Sequence, residues 1–156
     1  MRKKYYYKKV WASIGFIVNL AQMIEYNLAN ILANNEVLKT FDEKKYLYIF
    51  EYNDFLNKIE KWYEWLNKSE MGKQFVILKE KKIFDETFLI KIDKIRNERN
   101  YFIHTFFKED LKTNEFQNNP KQFIFYLQEL INEMYEINNA LIVRLLKIKE
   151  KIKLIY

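Results

Sequence analysis

This sequence of 156 residues has no cysteine, one proline, two glycines and one histidine. Without cysteine it can form neither a disulfide nor a thiolate zinc site. With so little glycine it has no Walker-type or dinucleotide-type phosphate loop, and the scarcity of both turn formers leaves little material for hairpins. A lone histidine and carboxylates without calcium-loop spacing exclude the familiar metal sites, so neither metal nor cofactor is expected. The two serines, Ser13 and Ser69, stand outside any nucleophile-elbow context.

What is abundant is apolar and aromatic: 49% and 18% of the chain. That is enough for a folded core in one domain spanning residues 1–156. The net charge is +6 and favours a polyanionic partner. However, Lys, Asn, Ile, Tyr and Phe are all frequent, as an AT-rich coding sequence would produce. Charge therefore supports a nucleic-acid reading without establishing it. The opening "MRKKYYYKK" with "VWASIGFIVNLAQ" has the outline of a leader peptide. Asn19, Gln22, Glu25, Asn27 and Asn30 interrupt the apolar run, which argues for a helix of the fold and against a membrane span. A cytoplasmic location with no membrane partner is expected.

The periodicity predicts four main helices plus a short extra one, an all-α antiparallel helical bundle. The first covers about residues 10–33, with Ile14, Ile17, Val18, Ala21, Leu28 and Leu32 on one side. "NNEVLKT" is expected to break it. Thr40 and Glu43 have capping-box spacing for a second helix whose stripe is Phe55, Ile59, Trp62 and Leu66. "NKSEMGK" is the next break, before a short apolar run at 75–78. Asp85 should cap the third helix, ending near Lys108. After the loop "KTNEFQNNP", Asn119 and Pro120 should open the fourth, with Phe123, Leu127, Leu130, Met134, Ile137 and Leu141 inward.

Two of the four arginines, and the histidine, fall in "IRNERNYFIHTFF" on the third helix. At about 100° per residue, Phe88, Ile92, Ile95, Phe102, Ile103 and Phe106 form an apolar stripe with Arg99 in its midst. Asp93, Asn97, Asn100 and His104 form a polar stripe, and Arg96 lies between the two. Such a helix suits an anion-handling surface. On an ideal helix Arg99 and His104 diverge by about 140°, so convergence needs a curled side chain, a local distortion or a partner chain. Arg99 in an apolar stripe also needs a counter-charge. Glu25, the one charged residue between Lys9 and Glu36, is the expected partner, in a structural or an orienting role.

"RNYFIH", Arg99 to His104, resembles the Arg-polar-x3-His signature of HEPN domains, the higher-eukaryote and prokaryote nucleotide-binding family. Asn100 is a frequent polar residue there, and "RNYFIHTFF" is similar to the family's aromatic continuation. The specific likeness covers residues 95–107, and the helix order extends it over most of the chain. The resemblance implies a metal-independent endoribonuclease of toxin–antitoxin, abortive-infection or antiviral systems, acting on RNA as a homodimer with the motif helices across a two-fold cleft. It implies His104 as general acid or base, Arg99 as stabiliser of the phosphorane, and Asn100 as orienter of the imidazole or a phosphate oxygen. Arg96, Glu25, Asp93 and Asn97 would support them. It also implies an antitoxin or regulatory partner protein.

In one branch of the family a tyrosine two residues after the histidine is modified with AMP; here Phe106 occupies that place. The competing expectation is a non-catalytic helical module that binds a nucleotide or protein, with Arg99 serving only the Glu25 contact. "RKKYYYKK" and "KIKEKIK" read either as RNA-backbone contacts or as solvated ends covering the fold with their alkyl stems.

Overall fold

The computed structural model describes residues 2–43, 49–108 and 115–155, and among them it is all-α, with no strand. Helix α1 runs Arg2–Glu43, α2 Ile49–Lys68, α3 Met71–Glu80 and α4 Glu86–Asn100. A π-helical turn, Tyr101–Thr105, continues α4, and residues 106–108 return to α geometry. A short helix α5, Glu115–Asn118, precedes α6, Pro120–Ile155. The chain forms two compact units. The first comprises residues 1–23 and 85–138; the second comprises 24–84 and 139–156.

In the first unit Val10, Ile14, Ile17, Leu20 and Ala21 of α1 are buried, with Ile92 and Ile95 of α4. Phe102 and Phe106 of the π-turn region are fully enclosed. From α6 come Phe123, Leu127, Leu130, Ile131, Met134 and Ile137. Their spacing of three and four follows the helical repeat, so one stripe of each helix is apolar and the rest faces solvent. Asp85 caps α4, its carboxylate accepting from the Phe88 amide at 2.8 Å. Asn119 caps α6 by accepting from the Gln122 amide at 3.3 Å, and Pro120 takes the first helical position, as the sequence predicts.

The second unit buries Ile24, Leu28, Ala29, Ile31, Leu32 and Ala33 of α1, Leu66 of α2, and Met71 and Leu78 of α3. Leu141, Leu145 and Ile148 of α6 join them. "SE", residues 69–70, separates α2 from α3, but Gly72 lies inside α3, so the break is shorter than expected. Lys82 follows α3 with φ of 50°, in the left-handed region.

One boundary differs from expectation in a way that changes the reading of α1. "NNEVLKT" does not end the helix, which continues to Glu43. Asn and Thr there turn their polarity onto their own helix. Asn34 donates to the Asn30 carbonyl at 2.8 Å and the Thr40 hydroxyl to that of Glu36 at 3.0 Å, as Asn30, one turn earlier, does to Tyr26 at 2.9 Å. Each bond runs back four residues, so these side chains add to the backbone bonding of the helix without opening a turn. Thr40 is therefore an interior residue and not a cap. Val18 is half-buried, as are Ile59 and Trp62; the Phe55 side chain lies outside the described residues.

Candidate active site

The expected polar stripe takes shape on α4 and its π-helical continuation, within the first unit. Asp93 and Arg96 are half-buried and paired: Arg96 Nε donates to Asp93 Oδ1 at 2.9 Å, and Nη2 lies 2.7 Å from the same oxygen. Arg99 Nη1 donates to Asn100 Oδ1 at 3.0 Å. Asn97 and His104 are exposed, while Arg99 and Asn100 are half-buried. Arg99 is thus tied to the neighbouring amide, and the imidazole is open to solvent.

The π-turn bears directly on the motif. The Phe106 amide donates to the Tyr101 carbonyl, five residues back, and His104 lies inside that turn. A turn closed by an i→i+5 bond holds one residue more than an α turn, so each residue winds through a smaller angle. By that count the five steps from Arg99 to His104 sum to less divergence than the ideal-helix value of about 140°. This is the local distortion that the sequence left as one of three ways to bring them closer.

The turn is surrounded by aromatic packing. Phe106 stacks on Phe123 of α6 with centroids 5.4 Å apart and planes at 8°, and Phe102 lies 5.6 Å from Phe106. Tyr101 meets both edge-on, at 5.3 and 6.2 Å. Phe107 stacks on Trp11 of α1 at 4.4 Å. Ile103, expected in the apolar stripe, is 37% exposed.

Glu25 belongs to the second unit. Its Oε1 accepts from the Met71 amide at 3.3 Å, at the start of α3. The residue before that helix, Glu70, offers no side-chain cap. A carboxylate from α1 therefore satisfies one of the free amides and faces the positive end of the helix. Sequence reasoning missed this role, because nothing local marks it: residues 25 and 71 are distant in the chain. Arg99 lies in the first unit, and its pairing with Glu25 stays an expectation.

Beside the polar stripe the first unit has a surface cavity of about 360 Å³, lined by Asn97, Glu98, Tyr101, Phe123 and Tyr126. The Tyr126 hydroxyl donates to Glu98 Oε2, and Lys94 pairs with Glu133 at 2.5 Å, both linking α4 to α6. No group of three or more potential metal ligands occurs among the described residues. No described helix is long and apolar enough to cross a membrane. At the chain's start Lys4, Lys8 and Lys9 are exposed, with Lys9 over the Tyr5 ring at 4.9 Å. Near its end Lys147, Lys149, Lys151 and Lys153 are exposed, with Ile148 buried between them. No protein-family model, curated protein or solved structure matches this chain.

Proposed function

We propose that this chain is a metal-independent endoribonuclease of the HEPN type, a toxin or antiviral-defence effector working as a homodimer in the cytoplasm. The observation that carries the reading is the π-turn over the Arg-Asn-x3-His motif, which narrows the angle between Arg99 and His104 and leaves the imidazole accessible. Distortions of this kind recur at functional positions in helices.

In the proposed reaction a His104 imidazole takes the proton of a ribose 2′-hydroxyl. The 2′-oxygen forms a bond to the adjacent phosphorus, the bond to the 5′-oxygen breaks, and the leaving oxygen receives a proton from the partner copy's imidazolium. The products are a 2′,3′-cyclic phosphate and a 5′-hydroxyl. Arg99 offers a planar guanidinium to the charge that grows on the phosphoryl oxygens, a geometry an ammonium cannot match. Asn100 keeps that guanidinium in place through its 3.0 Å bond. Arg96, held by Asp93, adds positive potential along the same helix.

A second reading is a non-catalytic helical module that binds a nucleotide or protein. The engagement of Arg96 with Asp93, and of Arg99 with Asn100, favours it, because both guanidinium groups find partners inside their own helix. One experiment separates the two. Purified chain is incubated with mixed RNA in EDTA beside His104→Ala, and the fragment ends are identified. Cleavage by wild type alone, with cyclic phosphate ends, supports the ribonuclease, and the variant should lose about 10²–10⁴-fold in rate. Because His104 is exposed, its folding should be unchanged. Absence of cleavage by a folded dimer favours the module.

A further inference from the structure

The cavity between α4 and α6 of the first unit is not used by the proposed chemistry, yet it begins on the same stripe. Asn97 contributes to both: it stands two helical turns before His104, roughly 10 Å along the axis, and forms the cavity's rim. Three of the other four lining residues are aromatic. Tyr101 is held by Phe102 and Phe106, Tyr126 by its bond to Glu98 and a tilted contact with Phe123 at 6.0 Å. Phe123 is itself fixed by its stack on Phe106. Rings immobilised in this way form a preorganised surface for another flat, unstacked ring.

The polar groups narrow the choice of ring. Among the described residues the Asn97 carboxamide has no hydrogen-bond partner, and it presents one donor direction and one acceptor side by side. Adenine is complementary, offering an N6 amino hydrogen to the amide oxygen and N7 to the amide nitrogen. Glu98 adds to the lining a carboxylate that accepts and cannot donate, suited to the second N6 hydrogen. Guanine O6 and the uracil carbonyls would meet that carboxylate as acceptors. Cytosine also has an amino group, but its single ring covers less of the Tyr101 and Tyr126 faces.

We infer that this cavity is a binding site for an adenine base, next to the His104 stripe. The inference rests on the ribonuclease reading for its source, an unpaired adenosine of the RNA strand near the cleaved bond. On that reading, cleavage depends on adenosine position.

The test is a binding measurement on the His104→Ala chain, so that no strand is consumed. Fluorescein-labelled oligouridine strands carry one central adenosine, guanosine or cytidine, or none, and anisotropy gives each affinity. The adenosine strand should bind tighter than the others by roughly 5- to 150-fold, the range of one good bidentate base contact. Adding Asn97→Leu, or the nearly isosteric Asn97→Asp, should erase the preference. Equal affinity for all four strands, or a preference that survives both substitutions, overturns the inference. Failure of any strand to bind overturns it as well. Competition with AMP identifies the source: displacement at comparable concentration assigns the adenine site to a free nucleotide, and lack of displacement assigns it to the strand. Cleavage by wild type without base preference would sink the adenine site and leave the ribonuclease standing. Adenosine-selective binding without cleavage would do the reverse.

Discussion

The Phe106 amide bonds the Tyr101 carbonyl five residues back, and Phe106 in turn stacks on Phe123 of α6. The two contacts explain each other. Phe102 and Phe106, four residues apart, both reach the buried side while His104 faces outward, and the turn that spans them is the wider π-turn. Fully enclosed rings at both ends of this turn tie it to the core, and tertiary packing of this kind supplies most helical stability in proteins.

Phe106→Ala should therefore be the most damaging single truncation near the motif. Removing an enclosed, stacked ring costs about 3–5 kcal/mol, the sum of lost transfer energy and cavity. Phe106→Tyr would place a hydroxyl in an apolar site and should cost about 1–3 kcal/mol. Urea denaturation of the three chains, followed by circular dichroism, gives both differences. A Phe106→Ala loss below that of a surface substitution would contradict the packing account.

Arg99→Lys keeps the charge and removes the planar fork. Under the ribonuclease reading it should lower kcat/KM by about 10²–10³-fold, the usual loss of one transition-state oxyanion contact. Single-turnover cleavage beside a thermal melt checks this. Full activity in Arg99→Lys would mean that a point charge suffices.

Asp85→Ala removes the one side-chain cap of α4. The Phe88 amide then loses its 2.8 Å acceptor, and stability should fall by about 1 kcal/mol. Asp85→Asn should keep most of it. Denaturation midpoints of the pair decide, since an equal loss in both would point to the charge and not to the hydrogen bond.

Lys82→Gly should stabilise the second unit. A side chain at φ of 50° crowds its own backbone, and glycine is free of that penalty. Glycine's greater freedom in the unfolded chain offsets part of the relief, leaving a gain of about 0.5–1 kcal/mol. A lower melting temperature for Lys82→Gly would show that the lysine side chain contributes more than its strain costs.

Much of this architecture is legible in the residues because its causes are local. The three-and-four spacing of Leu127, Leu130, Met134, Ile137 and Leu141 marks the buried stripe of α6, and Asp85, Asn119 and Pro120 mark two helix starts. The polar stripe of Asp93, Asn97, Asn100 and His104 is equally a matter of helical spacing, and so was its candidacy as a site. Local chemistry misled at "NNEVLKT", where asparagine and threonine can either break a helix or bond to its carbonyls four residues back. Without glycine or proline to force a turn, α1 continued.

The rest depended on residues far apart in sequence. Glu25 at the start of α3, the ring stack of Phe106 on Phe123, and the cavity that joins Asn97 to Tyr126 all need chain segments brought together by folding. The π-turn belongs with them. Spacing alone set Arg99 and His104 about 140° apart, and only the folded chain shows the wider turn that lessens it, beside two phenylalanines enclosed in the core. Sequence by itself determined which residues could do chemistry here. The tertiary structure decided how they are presented, because burial outweighs the small preference of a helix for uniform pitch.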